Sequence, residues 1–132
     1  MTGKLTPLFI LLLFGAAAEA RGQQSAQPAE DPCAYAERSP EQMACAEKEL
    51  RQAEAELRSA RTRLTATIEA PPRTRMRRAE RAWLSYRKSN CDAEASIYEG
   101  GTIQPFIQTL CLARVTRARA AELLAQLKTL IE

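Results

Sequence analysis

The sequence predicts an all-α protein, an antiparallel three-helix bundle built around a helical hairpin and stapled by two disulfides. Only 5% of the 132 residues are aromatic while 45% are hydrophobic, so Ala and Leu, both good helix formers, supply most of the apolar content. The apolar residues recur at helical spacing rather than in alternation. Four cysteines in a chain of single-domain length indicate two disulfides.

Residues 1–20 have the layout of a secretory signal peptide. Lys4 precedes an unbroken apolar run from Pro7 to Phe14, and residues 18–20 (AEA) form a cleavage site, with 16–18 as a second option. About 12 apolar residues are too few for the roughly 20 that span a bilayer. We therefore expect cleavage, export to the periplasm or the extracellular space, and no transmembrane anchor after cleavage.

The mature chain is expected to consist of a flexible leader at residues 21–32, which is polar and aperiodic, and one helical domain at residues 33–132. Cleavage after Ala20 leaves 18 Lys+Arg and 15 Asp+Glu, a net charge of +3. The chain has no histidine. This excludes His-based acid–base catalysis and any His-containing zinc site.

The first helix is expected to begin at a capping box of Ser39, Pro40 and Gln42 and to end at Pro71-Pro72. Its apolar stripe consists of two heptad series: Met43, Leu50, Leu57, Leu64 and Ala46, Ala53, Ala60, Thr67. The small residues permit close approach of a second helix. At about 30 residues, or roughly 45 Å, this helix is long enough to pair with a second subunit in a homo-oligomer.

The second and third helices are expected to form a hairpin around Gly100-Gly101. The second runs from about Thr74 to Tyr98, and Thr102 is expected to cap the third. The apolar stripe of the second helix includes Met76, Ala79, Trp83, Tyr86, Ala93 and Ile97. That of the third includes Phe106, Leu110, Ala113, Ala120, Leu124, Leu127 and Ile131.

The four cysteines, Cys33, Cys45, Cys91 and Cys111, allow three pairings. Cys91 lies nine residues before Gly100 and Cys111 lies ten after Gly101, so an antiparallel hairpin places both at the same height. This geometry favours Cys91–Cys111, which leaves Cys33–Cys45. No Cys-x-x-Cys pair is present, so we expect no metal site and no cofactor.

Residues 81–87 (RAWLSYR), Cys91, residues 98–102 (YEGGT), Cys111 and residues 116–119 resemble the LprI-like lysozyme-inhibitor domain family. The likeness covers about residues 33–124, and the W-x-x-Y-R-x-x-x-C run followed by Gly-Gly is fairly specific. Ala44 departs from the Asn that is frequent in the family. The resemblance implies an exported, disulfide-stapled helical domain that binds and inhibits lysozyme. Its motif residues, interpreted as structural, are Trp83, Tyr86, Arg87, Gly100 and Gly101.

Two groups of side chains are candidates for partner binding. The first is a rigid, projecting loop tip with Tyr98, Glu99 and Thr102. The second is a basic group suited to carboxylates or other anions: Arg75, Arg77, Arg78, Arg81 and Arg87. Competing structural interpretations are a tight glycine turn for the loop and a solvated helix face for the arginines, with Arg87 as a buried hydrogen-bonding anchor.

These observations favour a secreted or periplasmic protein that inhibits lysozyme by occluding its active-site cleft. The alternative is a cell-envelope structural or interaction module that binds an anionic envelope component through the basic face of helix 2. A net charge of +3 disfavours long-range attraction to a basic lysozyme. We expect no nucleic-acid partner, because the chain is exported, and no catalysis, because the acidic residues of helix 1 alternate with arginines and lack a cleft signal.

Overall fold

The computed structural model describes residue 33 and residues 39–132, and within that part the chain forms three helices. α1 spans Ser39–Thr67, α2 spans Ala70–Ser96 and α3 spans Gln104–Ile131. The chain reverses twice, so α2 is antiparallel to both other helices, and α1 runs parallel to α3. The predicted all-α, three-helix architecture is confirmed. The predicted signal peptide, the leader and the Ser39 side chain lie outside the described residues.

The junction between α1 and α2 differs from the prediction. Pro71 and Pro72 do not precede a helix that begins at Thr74, because α2 already begins at Ala70 and holds both prolines in its first turn. Residues of a first turn need no N–H for helical bonding, so proline is tolerated there. The Arg73 guanidinium donates to the Ile68 carbonyl oxygen at 2.8 Å and thereby satisfies a backbone acceptor beyond the end of α1.

Thr102 was expected to cap α3, and this was wrong. The N-cap residue is Ile103, and no side chain hydrogen-bonds the free N–H groups of this helix end. The loop consists of tight backbone turns, in which Gly101 N–H donates to the Tyr98 carbonyl and Gln104 N–H donates to the Gly101 carbonyl. These turns place Thr102 one residue before the cap position.

The core lies mainly between α1 and α3, which share the largest helix–helix interface. One buried cluster combines leucines and alanines of both helices: Leu57, Ala60, Leu64, Ala120, Leu123 and Leu127. Ile68, Met76 and Trp83 pack against its edge. Ala46 and Ala53 are fully buried nearer the start of α1, which confirms the small-residue edge predicted from the heptads. Thr67, the last member of that series, is exposed.

The predicted stripe of α2 is only partly correct. Met76 and Trp83 are half-buried, but Ala79, Tyr86, Ala93 and Ile97 are exposed. The residues of α2 that are buried are Cys91 and Ala95. When the inward face of this helix is followed at 100° per residue, it also carries half-buried polar side chains. A hydrophobic pattern alone therefore cannot locate this face.

The α3 stripe is confirmed at its centre and wrong at its C-terminal end. Ala113, Ala120 and Leu127 are buried, whereas Leu124 and Ile131 are exposed. Leu123 takes the inward position instead of Leu124, at 1% exposure.

Both predicted disulfides are confirmed, with Cα–Cα distances of 5.7 Å for Cys33–Cys45 and 5.5 Å for Cys91–Cys111. None of the described helices combines the length and the apolar character that crossing a membrane requires.

Candidate functional site

The loop between α2 and α3, residues 97–103, exposes apolar side chains; we call it the tip. Ile97 is 77% exposed, Tyr98 42% and Ile103 45%. Apolar side chains scattered singly over a surface are ordinary, but three within one seven-residue loop form a local patch. Tyr98 adds a phenol hydroxyl, and Glu99 supplies the only charge of the loop.

The backbone of the tip is internally hydrogen-bonded. The N–H groups of Tyr98 and Glu99 continue the helical pattern of α2, and Gly101 N–H donates to the Tyr98 carbonyl at 2.9 Å. Gly100 has φ +80°, a conformation that L side chains rarely adopt. A Cβ on Gly101 would lie 3.1 Å from the Tyr98 carbonyl oxygen. The turn thus requires glycine at position 100, and a side chain at position 101 would need a small shift of the Tyr98 carbonyl.

Below the tip, α2 and α3 are joined by a segment that we call the neck, residues 90–94 and 108–114. The Cys91–Cys111 disulfide is its covalent link. The Gln108 amide donates to Asp92 at 2.8 Å, and the Arg114 guanidinium donates to the Glu94 carboxylate. Three cross-links that lie within two helical turns of each other hold the two helices in a fixed relation.

The Asp92 carboxylate also accepts a hydrogen bond from Lys88, one turn earlier on α2. This bond holds the pKa of Asp92 below its usual range. Gln108 and the charge of Lys88 act in the same direction, and desolvation opposes them. Asp92 therefore stays ionised, and able to accept both hydrogen bonds, at neutral pH and in mildly acidic solution.

Arg87 joins all three helices. Its guanidinium donates to the hydroxyl of Thr116 on α3 at 3.0 Å and lies 3.7 Å from the Glu54 carboxylate of α1. The same group stacks 5.4 Å from the centre of the Trp83 ring. Thr116 has no exposed surface. These contacts support the interpretation of Arg87 as an anchor within the bundle, about 15 Å along α2 from the tip.

The remaining arginines of the predicted basic group lie near the start of α2. Arg75, Arg77, Arg78 and Arg81 are exposed, and none has an ion pair within the described part of the chain. We call this surface the basic end. Tyr98 follows Arg81 by 17 residues, or about 25 Å along the helix axis. The structure thus brings Tyr98, Glu99 and Thr102 together at one end and these four arginines together toward the other.

A shallow groove of about 220 Å³ lies between α1 and α2, lined by Glu54, Leu57, Arg58, Arg61, Leu84 and Arg87. Three of its four charged side chains already have partners, since Arg61 pairs with Glu80 and Arg87 pairs with Glu54. No group of three or more His, Cys, Asp or Glu in the described residues is placed to hold a metal ion.

Sequence reasoning missed three residues of these sites. Ile97 was assigned to the core stripe of the second helix, and Ile103 was not singled out. Both residues flank the Gly-Gly turn, and their side chains are exposed. Thr116 is a polar residue within an apolar helix, with Arg117 and Arg119 beside it, and nothing in that pattern identifies it as the acceptor for Arg87.

A family model described as "Lysozyme inhibitor LprI" matches residues 30–123. The chain belongs to the LprI family. The resemblance seen in the sequence is thereby confirmed, and the match contains the neck, the tip and the basic end. A curated relative from Rhizobium meliloti (strain 1021), "Uncharacterized protein R02472", is 30% identical over 112 residues, which cover 75% of this chain and 81% of the relative. No solved structure matches. An LprI domain with two disulfides is consistent with an exported protein.

Proposed function

We propose that this LprI-family protein is an exported inhibitor of lysozyme and that the tip is the surface that occludes the enzyme's cleft. The observation that carries the proposal is the patch of Ile97, Tyr98 and Ile103, exposed at the end of a disulfide-linked hairpin. Membership of the LprI family suggests lysozyme as the target, and the tip provides an exposed apolar surface that could bind it.

Shape and composition support the tip as the contact surface. A lysozyme cleft is a concave site that binds sugar rings and carries two catalytic carboxyl groups. The exposed apolar side chains of the tip are suited to enter such a cleft and displace water from it. Tyr98 is of the residue type that most often anchors an interface, because a large aromatic side chain with a hydroxyl buries apolar area and still makes a hydrogen bond.

Rigidity supports the same surface. Binding by a flexible loop costs conformational entropy, on the order of 0.5–1.5 kcal/mol for each side chain that is immobilised. The tip is closed by backbone hydrogen bonds and is attached to the neck through the Cys91–Cys111 disulfide and the Asp92–Gln108 bond. A pre-ordered loop loses less entropy on binding.

The distribution of charge reduces the conflict between a net charge of +3 and a basic lysozyme. Residues 58–81 hold eight arginines and two glutamates, a net charge of +6. The remaining described residues are therefore slightly acidic, and Glu99 is the charged residue of the tip itself. A basic enzyme would be attracted toward the tip and repelled from the basic end, which orients the encounter.

The test is a muramidase assay with the protein purified after export and a basic lysozyme. The tip variant carries Ile97→Ser, Tyr98→Ser and Ile103→Ser. The matched control replaces three exposed apolar residues on α3, Leu124→Ser, Leu130→Ser and Ile131→Ser. We expect the tip variant to need at least about tenfold more protein for half-inhibition, and the control to inhibit like the wild type.

Circular dichroism establishes that both variants keep their helices. Full lysozyme activity at a large molar excess of the wild-type protein would reject inhibition altogether. Undiminished inhibition by a folded tip variant would instead reject the tip as the contact surface.

A further inference from the structure

We propose that the basic end is an electrostatic docking surface for an acidic phospholipid bilayer. Inhibition of lysozyme through the tip gives the arginines of this end no role. Membrane docking is therefore tested independently of that function. The surface consists of Arg75, Arg77, Arg78 and Arg81 on α2.

The fold removes negative charge from this surface. Glu80 is the only acidic residue between Ala70 and Asn90, and it lies among the arginines in the sequence. Its side chain points toward α1, where it pairs with Arg61, and only 14% of it is exposed. Consequently the outer face of α2 presents cations without an interleaved carboxylate, which a count of charges along the sequence does not reveal.

The cations of α3 are different, since each of them has an acidic partner. Arg114 pairs with Glu94, Arg117 with Glu49, Arg119 with Glu122, and Lys128 with Glu132. The contrast matters because a paired cation has lost much of its attraction for an external anion. The four arginines of the basic end are exposed and have no ion pair in the described part of the chain, so their charge stays available to an external anion.

The geometry of the four arginines favours a flat partner. At 100° per residue they cover about 160° of the circumference of α2. Arg58, which is exposed at the groove between α1 and α2, adds a further cation from α1. A broad cationic face of this kind meets a plane of many anions better than a single polymer strand. The phospholipid headgroups of a membrane form such a plane and move laterally to match the arginines.

A protein docked in this way would leave the tip outside the contact with the membrane. α2 is 27 residues long, or about 40 Å, and the tip and the basic end lie toward opposite ends of it. Membrane docking and tip contacts therefore use separate surfaces of the protein.

The test is sedimentation of the exported protein with vesicles of phosphatidylglycerol and phosphatidylcholine in equal parts, beside vesicles of phosphatidylcholine alone. The basic-end variant carries Arg75→Glu, Arg77→Glu and Arg78→Glu. The matched control carries the same change in net charge elsewhere, as Lys48→Glu, Arg51→Glu and Lys128→Glu. All six side chains are exposed, so both variants are expected to fold, and circular dichroism checks that they keep their helical content.

We expect the wild type to bind the acidic vesicles only, and added salt to weaken this binding. The basic-end variant should partition at least about a hundredfold more weakly, since the loss of each basic residue near the surface costs about fivefold and the introduced glutamates are repelled. The control should retain most of the binding. An equal loss in the control would show a general effect of net charge and overturn the proposal.

Two further outcomes would also overturn it. One is absence of wild-type binding to acidic vesicles at low salt. The other is binding to soluble polyphosphate without binding to the vesicles, which would identify a soluble polyanion as the partner. Because lysozyme is absent from this experiment, its outcome does not depend on whether the protein inhibits that enzyme.

Discussion

The two ends of this LprI domain are held together by different forces. At the end with the tip, the buried side chains are small, such as Ala46, Ala95 and Ala113, and both disulfides of the protein lie in this half. At the other end, leucines of α1 and α3 form the apolar cluster. Covalent and polar links thus replace apolar burial where the molecule projects a loop.

This difference follows from the size of the side chains that each end buries. Alanines bury little apolar area, so the end with the tip needs cross-links that restrict the unfolded chain. The leucine cluster has a third helix edge beside it, since Met76 and Trp83 pack against it. Perturbations of the two ends should therefore affect global stability and tip geometry to different degrees.

The largest expected effect is on the leucine cluster. Leu123→Ala should lower the free energy of unfolding by about 3–4 kcal/mol, because it removes a buried side chain and leaves a cavity between α1 and α3. Denaturant unfolding followed by circular dichroism measures this. The neighbouring Leu124→Ala, at a side chain 39% exposed, should cost less than about 1 kcal/mol. Equal losses at the two positions would contradict the assignment of Leu123 to the core.

Removal of the neck disulfide is expected to act on stability and on the tip. Cys91→Ser with Cys111→Ser opens a loop of 20 residues and should lower the free energy of unfolding by about 3 kcal/mol. Inhibition of lysozyme should weaken as well under conditions where the variant remains folded, because the tip is then less ordered before binding.

The matched control removes the other disulfide through Cys33→Ser and Cys45→Ser. It should also destabilise the protein, since its bridge closes 12 residues, but it leaves the neck intact and should leave inhibition by folded protein unchanged. If both double variants inhibit like the wild type, tip rigidity does not contribute to binding.

The difference between the two ends also explains which features the sequence predicts. The leucine and alanine heptads of α1 predict burial directly, because residues seven positions apart lie on the same face of a helix and apolar residues on one face pack against a neighbour. The hairpin disulfide follows from equal distances to Gly100-Gly101. Both patterns can be recognised in the sequence without knowing which helices contact each other.

Features that depend on a partner in another helix are not predictable in this way. The inward face of α2 consists partly of Glu80 and Arg87, whose partners Arg61 and Thr116 lie on other helices. An apolar stripe drawn through Tyr86 and Ile97 therefore points to the wrong face. The cap of α3 was missed for a different reason, since the backbone turns at Gly100 and Gly101 fix where the helix begins.

The smallest expected effect concerns the middle of the molecule, where Arg87 connects the helices. Thr116→Val preserves side-chain shape but removes the hydroxyl that accepts from Arg87, so the free energy of unfolding should fall by about 1 kcal/mol. Thr109→Val is the matched control, because the Thr109 hydroxyl donates only to the Pro105 carbonyl of its own helix, and the loss should be smaller. Neither lysozyme inhibition nor vesicle binding should change in Thr116→Val, because Arg87 lies between the two ends and contacts neither partner. A loss of inhibition without a loss of stability would instead make Arg87 part of the lysozyme contact.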